Sequence, residues 1–82
     1  MARIMTVDDS RLVRSIITAS LGEAGYETVE AENGKQAMEL LAEAPVDLIL
    51  LDVMMPVMDG PTMLATLRAA DNDVPVILLT SK

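Results

Sequence analysis

Two short runs of aliphatic residues, Leu48-Ile49-Leu50-Leu51 and Val76-Ile77-Leu78-Leu79, constrain this chain most, and each is closed by a polar residue, Asp52 and Thr80. Runs of this length without polar alternation suit strands covered on both faces, the situation of a parallel sheet. Parallel neighbours cannot be joined by a hairpin. They need a crossover of a dozen or more residues, usually a helix. The stretch between the two runs supplies one: Gly60-Pro61 opens it, with proline suited to a first helical turn, and Met63, Leu64 and Leu67 give it an apolar side.

The rest of the chain repeats this alternation. Arg3 to Val7 is a short apolar stretch ending at Asp8-Asp9-Ser10, where Asp9 or Ser10 can cap a helix. Leu12, Val13, Ile16, Ile17, Leu21 and Ala24 fall at helical spacing, and Gly25 reads as the stop. Glu27 to Ala31 reads as a half-exposed strand. Asn33-Gly34 makes a turn and a possible N-cap for a helix running to about Ala44, with Ala37, Met38, Leu41 and Ala44 on one face and Pro45 ending it. Met54 to Asp59 is a loop, and Asp71 to Pro75 a polar turn. The order strand-helix-strand-helix-strand-helix-strand, with short links, predicts an α/β fold with right-handed crossovers. No internal repeat or linker interrupts it.

Composition narrows the chemistry. The 82 residues form one small domain, a size that buries only about 60–65% of the unfolded surface. The net charge of −7 leaves no basic patch for phosphates, so direct nucleic-acid binding is not expected. Without cysteine or histidine there is no disulfide, thiolate–zinc site, imidazole ligand or Ser-His-Asp triad. No apolar run approaches membrane-spanning length and no signal-peptide pattern opens the chain. A cytoplasmic location with no membrane partner is the expectation.

Ligands of open α/β sheets bind beyond the carboxyl ends of the strands. Three predicted strands end there in polar residues: Asp8-Asp9, Asp52 and Thr80-Ser81. Gathered carboxylates repel, each pair by about 4 kcal/mol at 4 Å and an effective dielectric near 20. A proton or a cation must relieve them. An all-oxygen set favours a hard ion, magnesium before manganese or calcium. A carboxylate beside such an ion can attack phosphorus, and Asp52, which closes the most buried run, is the candidate. Thr80 could then hydrogen-bond a phosphoryl oxygen. Capping of helices and turns is the competing role for these acids taken singly.

Val7-Asp8-Asp9-Ser10, Asp47-Leu48-Ile49-Leu50-Leu51-Asp52, Met55-Pro56-Val57-Met58-Asp59-Gly60 and Val76-Ile77-Leu78-Leu79-Thr80-Ser81 resemble, in order and spacing, the motifs of response-regulator receiver domains. The segment from Asp8 to Arg14 is most similar to single-domain chemotaxis regulators. The resemblance implies a flavodoxin-like doubly wound parallel sheet, here an incomplete (βα)3β with strand order 2-1-3-4. It implies two-component signalling: a phosphoryl acceptor at Asp52, Mg2+ held by Asp8, Asp9, Asp52 and the backbone carbonyl of Met54, and Thr80 as the switch hydroxyl. Pro56 and Gly60 would shape the loop, Gly60 by a close approach or an unusual dihedral. Met54, Met55 and Met58 read as packing side chains, and Arg11 and Arg14 as solvated helix residues. A sensor histidine kinase and a downstream protein target are the implied partners.

The family continues with a fourth helix, a fifth strand carrying a lysine and an aromatic switch residue, and a fifth helix. Residues 1–82 contain none of these, and Lys82 is not that lysine by position. Three expectations result: a partial receiver domain, weak self-phosphorylation, and a bare fourth strand that promotes a homo-oligomer. A signalling module rather than an enzyme is the leading reading. The alternatives are a structural or engineered fragment that self-associates without phosphotransfer, or a metal-dependent phosphatase. The phosphatase is disfavoured because Met54 stands where a second acid is wanted. A flavin or nucleotide protein is disfavoured by the lack of a Gly-rich loop after the first strand.

Overall fold

The computed structural model describes residues 2–53 and 59–79. Its elements are β1 (Arg3–Val7), α1 (Arg11–Glu23), β2 (Glu27–Ala31), α2 (Gly34–Glu43), β3 (Leu48–Asp52), α3 (Gly60–Ala69) and β4 (Val76–Leu79). The four strands form one sheet in the order β2-β1-β3-β4, all parallel. The predicted alternation and strand order both hold.

Local chemistry sets the boundaries. Each helix starts at a residue whose side-chain oxygen accepts from an amide of the first turn: Ser10 from Val13, Asn33 from Gln36, Asp59 from Thr62. Of the two candidate caps for α1, Ser10 performs the role. Gly25 lies just past α1 at φ 91°, a left-handed conformation that glycine adopts without a Cβ clash. Asp71 takes φ 60° after α3. Beside it the Asn72 side chain accepts from the Val74 amide, and Arg68 donates to the carbonyls of Asn72 and Val74, which leads the chain into β4.

Register decides the core. Met5 pairs with Ile49 and Val7 with Leu51, and these four pack with Ala31, Ala37, Met63, Leu67 and Val74. They lie on the sheet face covered by α2 and α3. Right-handed crossovers place α1 on the other face, because β1 to β2 runs opposite to β2 to β3 and β3 to β4. That face holds Ile4 and Thr6, both buried.

The two faces are covered unequally. No residue of α1 is buried, and Leu12 and Ile16 of its apolar stripe are 71% and 58% exposed. The run Val76–Leu79 reads in sequence as a strand covered on both faces. Among the described residues β4 is the sheet edge, as the bare fourth strand was expected to be, paired on one side by β3, and Ile77, Leu78 and Leu79 are exposed rather than covered. The run is apolar because one of its faces meets the core through Val76, not because both are covered.

Candidate functional site

The parallel register brings the carboxyl ends of β1 and β3 side by side. Val7 pairs with Leu51, so the next residue on each strand, Asp8 in the β1–α1 turn and Asp52 at the end of β3, emerges at one edge. Ligating oxygens of Asp8, Asp9 and Asp52 lie within 4.8 Å of one another. Asp52 is buried at 5% exposure, Asp8 is partly buried and Asp9 is exposed. One carboxylate thus sits at the base of the group and one at its mouth.

The turn carrying two of these acids is fixed by several bonds. The Asp8 amide donates to the Ala31 carbonyl at 3.1 Å, and Asp8 Oδ1 accepts from the Ser10 amide at 2.8 Å. The opposite wall begins at Gly60. A Cβ at that position would lie 2.6 Å from the Asp52 carbonyl oxygen and 3.1 Å from Val53 Cα. The Gly60 amide donates to the Val53 carbonyl at 3.2 Å. Close approach, not an unusual dihedral, is therefore what the glycine provides.

Electrostatics agree with crowding. Burial pushes the Asp8 carboxyl above its ordinary 3.8, the Ser10 amide pulls it part of the way back, and the charges of Asp52 and Asp9 push it further up. Three oxygen donors with no nitrogen or sulfur fit a hard dication of the magnesium type, which takes few carboxylates and keeps several waters.

A family model described as the response regulator receiver domain matches residues 4–82. The chain belongs to the response regulator receiver domain family. It is 40% identical over 80 residues to the response regulator MprA of Mycolicibacterium vanbaalenii, a match covering 98% of this chain and 35% of that protein. The chain therefore spans about a third of the length of the curated relatives it matches. Among solved structures, the Vibrio cholerae chemotaxis protein CheY4 superposes with a TM-score of 0.93 at 34% identity, covering all of this chain and 70% of that one. The Thermotoga maritima response regulator TrrA, solved in complex with Mg(2+)-BeF, gives 0.92 at 36% identity, covering all of this chain and 71% of that one. Receiver domains are signalling domains rather than classical enzymes.

Within this receiver fold, the three predicted aspartates converge. Met54 and Thr80 lie outside the described residues, as do Met55, Pro56 and Met58. One reading from sequence is corrected. Arg11 is exposed, but Arg14 is not a solvated helix residue. Its side chain is 12% exposed and bonded to both Glu30 and the Asp8 carbonyl. Its helical position gave no sign of this, because the partners come from a different strand and from a turn six residues earlier. A cavity of about 230 Å³ between Arg3, Met5, Val29, Leu40 and Val46 lies at the opposite end of the sheet and takes no part in the carboxylate site.

Proposed function

We propose that this chain is a Mg2+-dependent phosphoryl acceptor of two-component signalling, with Asp52 the accepting residue. The observation that carries the reading is the buried Asp52 at the end of a central strand, with ligating oxygens of Asp8 and Asp9 within 4.8 Å. Asp8, Asp9, Asp52 and the Met54 carbonyl would hold the ion, and the Thr80 hydroxyl would bond the new phosphoryl group. Bound magnesium would neutralise the transferring phosphoryl oxygens and allow Asp52 to meet phosphorus. One Asp52 oxygen attacks phosphorus, the donor's bond to phosphorus breaks, and the leaving group retains the electron pair. A sensor histidine kinase fits as donor and a downstream protein as reader, in the cytoplasm. The TrrA complex with Mg(2+)-BeF supports the choice of ion by similarity.

The test is thermal unfolding by far-ultraviolet circular dichroism with and without magnesium, beside phosphoryl transfer followed by intact mass. Magnesium at 100 times its dissociation constant adds about 2.7 kcal/mol of stability. Asp52→Asn should reduce that gain and abolish phosphoryl incorporation. A melt indifferent to magnesium, or incorporation that survives Asp52→Asn, would sink the proposal.

A second reading, self-association, is favoured by the exposed Ile77, Leu78 and Leu79 on the edge strand. The occupant proposed is a second copy pairing β4 antiparallel with β4. That arrangement sends the two acidic clusters to opposite ends of the joined sheet, whereas a parallel one would bring them together in a chain of net charge −7.

A further inference from the structure

Arg14 stands one turn into α1, and its guanidinium ties together three parts of the fold. Nε donates to Glu30 Oε1 on β2 at 3.1 Å. Nη1 donates to the Asp8 carbonyl at 2.5 Å. The second bond matters most, because it goes to the backbone of a cluster residue and not to a carboxylate. Asp8 is then held at three points: its amide by the Ala31 carbonyl, its carbonyl by Arg14, and Oδ1 by the Ser10 amide. Without Arg14, the peptide joining Asp8 to Asp9 loses the one bond to its carbonyl, and the two carboxylates are held less firmly, Asp8 by the Ala31 carbonyl and the Ser10 amide alone.

A cation at this place acts on a bound dication in two opposite ways. Its charge repels the metal, while its bonds hold the ligands in a geometry that magnesium, intolerant of distortion, requires. Arginine suits the second task. Its planar fork offers donors in fixed directions to two acceptors at once, and a lysine ammonium cannot reproduce that span.

We propose that Arg14 is a positioning residue for the metal-binding carboxylates of Asp8 and Asp9, acting through the Asp8 carbonyl with Glu30 as its second anchor. This rests on the magnesium reading of the site. Outer-shell partners of metal ligands typically contribute about 10–100-fold to affinity, and a contact through the backbone belongs at the lower end.

The experiment measures the Mg2+ dissociation constant by calorimetry for the native chain, Arg14→Ala, Arg14→Lys and Glu30→Gln. Amide hydrogen exchange is tracked at Ser10, with Met5 and Ile49 as core references. Arg14→Ala and Arg14→Lys should each weaken Mg2+ binding by about tenfold. Ser10 exchange should quicken while Met5 and Ile49 stay protected. Tighter binding in Arg14→Ala would mean the charge outweighs the clamp and would overturn the proposal. So would unchanged affinity in Arg14→Lys, whatever Ser10 does. If the native chain fails to bind Mg2+, the metal reading falls on its own. Ser10 exchange in Arg14→Lys then decides the positioning role, quickened for it and unchanged against it. Should the Arg14 variants fail to fold, Glu30→Gln carries the comparison: a smaller weakening with faster Ser10 exchange supports the clamp, and no change in either overturns it.

Discussion

At the scale of single residues, the site depends on two features that differ in kind. Gly60 is a steric requirement. Any side chain there must move the Asp52 carbonyl, since its Cβ would sit at 2.6 Å. Gly60→Ala should therefore cost about 1–3 kcal/mol, as overpacking of a tight contact does, read as a lowered urea midpoint at constant slope. Asp8 is an electrostatic feature. Its carboxyl is raised in the fold by burial first, and then by Asp52 and Asp9 against the Ser10 amide. A raised acid favours the folded state fully below its unfolded value of about 3.8, and that contribution is lost as pH rises through the folded value. In magnesium-free solution the stability difference between the native chain and Asp8→Asn should shift against the native chain as pH rises through this acidic range. A difference flat with pH would contradict the assignment. Asp59 works in the opposite sense. Its carboxyl is lowered by hydrogen bonds from Thr62, so its contribution is present above about 3.8 and lost as pH falls through the lower folded value.

At the scale of elements, the helices show why capping matters more in some places than others. α2 and α3 each bury residues in the shared core, whereas α1 buries none. α1 therefore leans more on its ends and on Arg14. Ser10→Ala removes the oxygen that accepts the Val13 amide and should cost about 1 kcal/mol. Asn33→Ala removes the equivalent bond to Gln36 at a similar cost, but α2 keeps its core contacts. Hydrogen exchange should distinguish the two, with Ser10→Ala loosening α1 locally and Asn33→Ala lowering protection across the whole sheet. Equal local fraying in both helices would remove the distinction.

At the scale of the whole molecule, the sheet is protected on one face and thinly covered on the other. Among the described residues, Ile77, Leu78 and Leu79 form an apolar edge with no strand paired on its outer side, a template for pairing with another strand. Sedimentation at micromolar concentration should show a species heavier than the monomer, and Ile77→Lys should return it to the monomer. A monomer in the native chain would refute the β4 pairing without bearing on the acidic cluster, whose three carboxylates come from the β1–α1 turn and the end of β3 within one chain. No helix among the described residues is long and apolar enough to cross a membrane.

The sequence by itself determined the alternation of strands and helices, the cap at Asn33 and the stop at Gly25; it left the α1 cap open between Asp9 and Ser10, and the Asp59 cap of α3 came only with the structure. Each of the first three is written in a contiguous stretch: a period of apolar residues, a polar side chain before a first turn, a glycine after a last one. It also placed Asp8, Asp9 and Asp52 at strand ends, and the rule that ligands gather at one edge of a parallel sheet made them neighbours before any distance was known. Tertiary structure decided what depends on which strands lie side by side. Only the adjacency of β1 and β2 brings Glu30 within reach of Arg14 and turns a surface arginine into a clamp. Only the seating of α3 against the end of β3 shows that Gly60 is needed for space and not for a dihedral. Hydrophobicity could not tell the covered run of β3 from the exposed run of β4, because the same four-residue pattern serves a central strand and an edge. Burial is set by neighbours, and neighbours are a property of the fold.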